Sequence, residues 1–95
     1  MKFEDHCNES IIKLGKPFKE VHFWLDEFMG APGIGARHRR KRHHLEGIAE
    51  VRRLFGDRAA EAARLHIIAD LKMEGWKEYD HFPTDENDYV NMGLF

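Results

Sequence analysis

The chain has 95 residues, with 15 Lys and Arg against 17 Asp and Glu for a formal charge of −2. That length supports one core, because chains split into separate cores only at several times this size, and the charge balance excludes a generally basic coat for nucleic acid. A hydrophobic share of 42%, with two Trp, two Tyr and seven Phe, excludes a disordered chain.

The single cysteine, Cys7, cannot form an internal disulfide and reads as a core residue rather than a reactive thiol. The opening Met1-Lys2-Phe3-Glu4-Asp5-His6 lacks the apolar run of a secretion signal, and no stretch approaches the roughly 18 to 20 apolar residues that span a bilayer. A cytoplasmic protein is expected, folded as a single helical domain over residues 1–95 with its core in about 10–75. Seven histidines are the compositional oddity.

Glycines and prolines cut the chain into helix-sized segments. Residues 4–14 predict a short helix, with Cys7, Ile11, Ile12 and Leu14 at loosely helical spacing. Residues 17–29 start on Pro17, a good first-turn residue, and carry Phe18, Val21, Leu25, Phe28 and Met29 along one helical face. Residues 35–55 predict the longest and central helix, with Leu45, Ile48, Val51 and Phe55 as its apolar stripe and Gly56 as its stop. Asp57 serves as the expected N-cap of a fourth helix running through alanines to Met73. Residues 76–95 read as an irregular strap, with residues 84–87 capping a last short turn through Met92. No segment alternates as a strand would, so the expected fold is all-α: a small bundle of three main helices, one or two short accessory helices and the strap.

Helical geometry selects the polar residues. His22 falls between Phe18 and Leu25 with Asp26 one turn on, and His66 and Asp70 repeat the same His-x3-Asp spacing along a stripe of Ala59, Ala62 and Ala63. An imidazole and a carboxylate in so tight a seam need each other, a partner or a metal, because burying them unpaired costs several kcal/mol. The third helix would add His38, Arg42 and Glu46 on one flank, His44 beside Ile48, and His43 one turn before Gly47. A mid-helix glycine costs about 1 kcal/mol against alanine, so Gly47 implies a close approach of backbone or ligand.

Neutral imidazole and carboxylate suit zinc, iron, nickel or manganese, and an i, i+4 pair presents both groups to one side of an ion. His22, Asp26, His38, His43, His66 and Asp70 are therefore the candidate metal ligands. The competing account gives the same pairs a purely hydrogen-bonding role, with each aspartate fixing an imidazole tautomer. No specific catalytic motif accompanies them; a metal-dependent hydrolase would use Asp26 or Asp70 as base and would need a pocket that a dimer could complete. The loop at residues 30–35 lacks the Gly-Lys-Ser/Thr ending of a phosphate-binding loop, so no nucleotide cofactor is expected.

The five cations between Arg37 and Arg42 support an alternative, a nucleic-acid-binding or phage-assembly accessory module using Arg37, Arg39, Arg40 and Lys41. Successive positions point all round a helix, and Asp80, Asp85, Glu86 and Asp88 of the strap could fold back over them, which favours a salt-bridged surface. A third reading is a non-catalytic interaction domain that forms a homodimer through its aromatics.

The runs His22-x-Trp24-Leu25-Asp26, Arg37-His38-Arg39-x-x-Arg42-His43-His44-x-Glu46-Gly47-Ile48 and His66-x3-Asp70-Leu71 resemble a family of small bacterial and phage proteins of unknown function over roughly residues 10–72. The resemblance implies a helical domain with a shared polar site formed by the six residues already selected, and names no reaction. The connection at Gly56-Asp57 and residues 76–95 depart from the family pattern.

Overall fold

The computed structural model describes residues 1–35 and 37–95. Ala36, inside the expected third helix, lies outside the described residues. Helices α1 (Phe3–Leu14), α2 (Lys19–Leu25), α3 (Leu45–Phe55), α4 (Asp57–Met73) and α5 (Glu86–Asn91) are joined by loops and one 3₁₀ turn, His38–Lys41, with no strand among the described residues. The fold is all-α, as the sequence predicts. No helix among the described residues is long and apolar enough to cross a membrane.

The centre of the bundle is α4 rather than the third segment. Its 17 residues contain neither Gly nor Pro and are rich in alanine, the strongest helix former. It packs against α1, α2 and α3, and its buried Ala59, Ala60, Ala62 and Ala63 let those helices approach. Gly56, not Asp57, is its N-cap; Asp57 is exposed and faces Arg52 at 3.3 Å.

The expected third helix is broken in two. A continuous helix from residue 35 would place five cations in its first turns, against the macrodipole. Instead the chain makes the 3₁₀ turn, runs extended at His44 (φ −160°, ψ 177°) and starts α3 at Leu45. His44 is the N-cap: its Nδ1 accepts the Gly47 N–H at 3.1 Å and its Nε2 donates to the Lys41 carbonyl at 3.0 Å. Burial lowers the His44 pKa, in keeping with a neutral, accepting ring. The close approach implied by Gly47 is that of backbone, since a Cβ there would lie 1.8 Å from the Arg42 carbonyl oxygen.

The second segment is also shorter than expected, because Arg42 donates to the Trp24 carbonyl at 2.7 Å and so takes up an acceptor at the end of α2. The Arg42 guanidinium lies 3.9 Å over the Trp24 ring and 2.5 Å from Glu27. Val21 and Leu25 are buried as expected, whereas Met29, beyond the helix end, is exposed.

Helix α1 differs in orientation. It buries His6, Cys7 and Ser10, while Ile11 and Ile12, two of the apolar residues at helical spacing, are exposed. The strap closes the other side. Trp76, Tyr89 and Leu94 join the core formed by α2, α3 and α4, and the strap carbonyls of Pro83 and Thr84 accept the first-turn N–H groups of Leu45 and Glu46. Asp85 caps α5 by accepting the Asp88 N–H at 2.8 Å.

Candidate metal centre

Helix α4 supplies His66 and Asp70 on one inward face, the end of α2 supplies Asp26 as its C-cap residue, and the turn before α3 supplies His43. One ligand atom from each of these four residues lies within 4.8 Å of the other three. The edges of the group are short: His43 Nε2 is 3.0 Å from Asp70 Oδ2 and 3.6 Å from Asp26 Oδ1, and His66 Nε2 is 3.3 Å from Asp70 Oδ2 and 3.4 Å from Asp26 Oδ2. A tetrahedral zinc with its usual bond lengths separates its ligand atoms by about 3.4 Å. The two contacts of His66 match that spacing, whereas the four atoms together spread over as much as 4.8 Å and would have to draw inward around an ion.

Hydrogen bonding leaves this group unfinished. His43 Nε2–H donates to Asp70, but His66 Nε2 and Asp70 Oδ1 have no hydrogen bond among the described residues, although both side chains are at most 2% exposed. Asp70 Oδ1 faces His6 Nε2 at 3.3 Å and the Met1 ammonium at 3.7 Å, while Asp70 Oδ2 and His66 Nε2 face the group. Buried polar atoms are normally paired, and a group so arranged could hold a cation.

The remaining histidines surround the four. His22 does not join them: its Nδ1 meets His66 Nδ1 at 2.9 Å and its Nε2 meets Ser10 Oγ at 3.1 Å. With His66 donating from Nδ1, His22 accepts there and donates from Nε2 to Ser10, leaving His66 Nε2 turned toward the two carboxylates. His38 Nε2 donates to Asp26 at 3.2 Å. His6 stacks flat on His66, with centroids 3.6 Å apart, and places Nε2 3.3 Å from Asp70 Oδ1.

Protonation differs across the cluster. Burial lowers the His43 pKa to about 4 despite its bond to Asp70, and lowers His22 to about 4 with help from the neighbouring His66 and His6. Burial opposes the charge of His66 too, yet its contacts with Asp26 and Asp70 outweigh it and raise the pKa. Burial also opposes the charge of Asp70, yet His43, His6 and His66 hold that carboxyl well below the usual carboxylate range. Asp26 is lowered as well, against burial, by His66 and His43.

The sequence missed His6 and Ser10. A signal was present, because His6-x3-Ser10 repeats the His-x3-polar spacing of the other two pairs, but the apolar Ile11 and Ile12 drew the inward face elsewhere. It also missed Glu74, which accepts from Arg39 at 3.3 Å and from the Tyr89 hydroxyl at 2.9 Å, while Arg39 Nε lies 3.6 Å from Asp70. The basic segment is largely engaged: Arg39 as described, Arg40 and Lys41 with Glu86 at 3.8 and 3.4 Å, and Arg42 with Glu27, leaving Arg37 exposed. Of the strap carboxylates expected over this segment, only Glu86 reaches it among the described residues; Asp80, Asp85 and Asp88 bond locally.

No curated protein and no solved structure gives a significant match to the chain. A family model does match, over residues 1–75, a span that includes α1 and all four clustered side chains and stops before the strap. The chain thus belongs to DUF6915, a family described as a domain of unknown function.

Proposed function

We propose that this protein binds a divalent transition metal through His43 Nε2, His66 Nε2 and the carboxylates of Asp26 and Asp70. The observation that carries the reading is the meeting, within 4.8 Å, of four ligand atoms from three separate elements. The donor set favours zinc, iron, nickel or manganese over thiolate-seeking ions, because Cys7 is no part of it. His22 and His38 then act one step out, His22 by holding the His66 tautomer and His38 by bonding Asp26; such outer partners commonly change affinity by about 10- to 100-fold.

In the metal-free protein, a proton on His66 balances the two carboxylates that an ion would otherwise balance. The ion competes with that proton, and affinity rises with pH. The test is elemental analysis of untagged protein before and after chelation, followed by thermal melting on adding back each ion. One equivalent of metal is expected; at a free concentration about 100 times Kd it adds about 2.7 kcal/mol, enough to raise Tm by roughly 10 °C or more. A protein that purifies metal-free and whose melting none of the four ions moves would leave the cluster as a hydrogen-bonded core.

A further inference from the structure

A cavity of about 710 Å³ opens beside the cluster. Asp26, His38 and Asp70 line its floor, whereas His43 and His66 lie behind them and are fully buried. The carboxylate side of the proposed centre thus faces the cavity and the imidazole side faces the core. Asp70, 2% exposed, reaches this space from within, its Oδ1 lying 3.7 Å from the Met1 ammonium that also lines the cavity.

The walls are chemically divided. Phe3 stacks on Phe23 at 4.4 Å, and Phe23 and Met29 hold apolar surface at the mouth, 64% and 65% exposed. Arg39, Lys2 and the Met1 ammonium also line the cavity; Arg39 is bonded to Glu74 through Nη1 but its Nε has no hydrogen bond, and Lys2 Nζ has no ion pair among the described residues, while the lining Glu27 is already taken by Arg42. Once a divalent ion sits against Asp26 and Asp70, the two carboxylates cancel its charge and the cations at the rim remain. An anionic headgroup is then favoured at the floor and an apolar chain at the mouth.

From this division we infer that the cavity binds an amphiphilic carboxylate, a small acid with an aryl or alkyl chain, whose head approaches the metal side and Arg39 and whose chain lies on Phe3, Phe23 and Met29. The inference rests on the metal-binding reading above. Its probe is 4-phenylbutyrate, set against 4-phenylbutanol, 4-phenylbutylamine and acetate, by calorimetry and NMR on the zinc-loaded full chain, with zinc content measured on each sample.

The expected result is saturable binding of 4-phenylbutyrate alone, with shifts of the Phe3 and Phe23 ring protons and loss of binding on chelation. Arg39→Gln should weaken it about tenfold, the loss of one charge-assisted contact. Because Arg39 also touches Asp70, Phe23→Ser is the second variant: Phe23 is no ligand of the ion, so zinc content should hold while affinity falls. Zinc-loaded protein that ignores 4-phenylbutyrate, or binds the alcohol and amine equally, overturns the inference and leaves the metal centre standing. Where another of the four ions is the one taken up, that ion loads the samples; failure to take up any of the four overturns both.

Discussion

Helix α4 and the turn that precedes α3 each deliver an imidazole to the same two carboxylates, by opposite means. On α4, His66 and Asp70 follow from one regular helix whose alanines would form it in almost any context. His43 is held by a stretch without regular structure: His44 caps the next helix with its ring, Arg42 bonds the end of α2, and Gly47 admits the Arg42 carbonyl where any side chain would collide. One ligand pair is therefore built into local propensity, and the other depends on several long-range contacts formed together. The two halves should fail differently.

The largest effect is expected at the residue both halves share. Asp70→Ala removes the carboxylate that His43, His66 and His6 approach, and should destabilise the metal-free protein by about 3 to 5 kcal/mol, the usual cost of stripping one partner from a buried charged group. Urea unfolding measures this, and a loss below about 1 kcal/mol would mean that the contacts contribute little.

Gly47→Ala attacks the turn alone. A Cβ placed 1.8 Å from backbone oxygen forces the His43 segment outward, with an expected loss of about 2 to 3 kcal/mol and reduced metal uptake. Glu61→Gly on the exposed face of α4 should cost about 1 kcal/mol in helix propensity and leave metal uptake unchanged. Equal retention of metal by both variants would show that the turn tolerates displacement and that the two halves do not differ.

Arg42→Lys keeps the charge and loses the planar stack on Trp24, for an expected cost of about 1.5 kcal/mol by thermal melting. The effect should disappear in a Trp24→Ala background if the stack is its source.

The smallest change near neutrality concerns protons. His43 and His22 have folded-state values lowered from 6.5 to about 4, so the unfolded chain takes up protons first as pH falls through that window, and the metal-free protein loses stability between them. His66 is raised and acts in the opposite sense: its contribution is complete below 6.5 and fades as pH rises through its folded value. With His44 also lowered by burial, three lowered histidines against one raised predict net acid destabilisation. Nitrogen-15 NMR of the metal-free protein at pH 6.5 should find His43 neutral and His66 protonated, and the reverse assignment would contradict the asymmetry between the halves.

The same contrast explains what could be read from the sequence. The extent of α4, the pairing of His66 with Asp70 on one helical face, and the strap ending in a short capped helix follow from periodicity and capping residues, which act over a few positions. The expected His22–Asp26 pair does not form, because Asp26 lies past the end of α2 and His22 turns to His66 and Ser10. The break at residues 42–44 does not, because it depends on Arg42 meeting Trp24, 18 residues earlier, and on strap carbonyls meeting the start of α3. His6 escaped for a related reason: hydrophobicity alone would turn Ile11 and Ile12 inward, and only the polar centre makes it favourable for α1 to bury His6 and Ser10 instead.

The path from Tyr89 through Glu74 and Arg39 to Asp70 joins the C-terminal segment to the heart of the bundle. A chain sharing the first 75 residues and ending in another sequence would keep every candidate ligand and Glu74 itself, yet lose the Tyr89 hydroxyl that holds Glu74 beside that arginine. Swapping tails would then tune how strongly the carboxylate attracts cations, with the coordinating atoms themselves untouched.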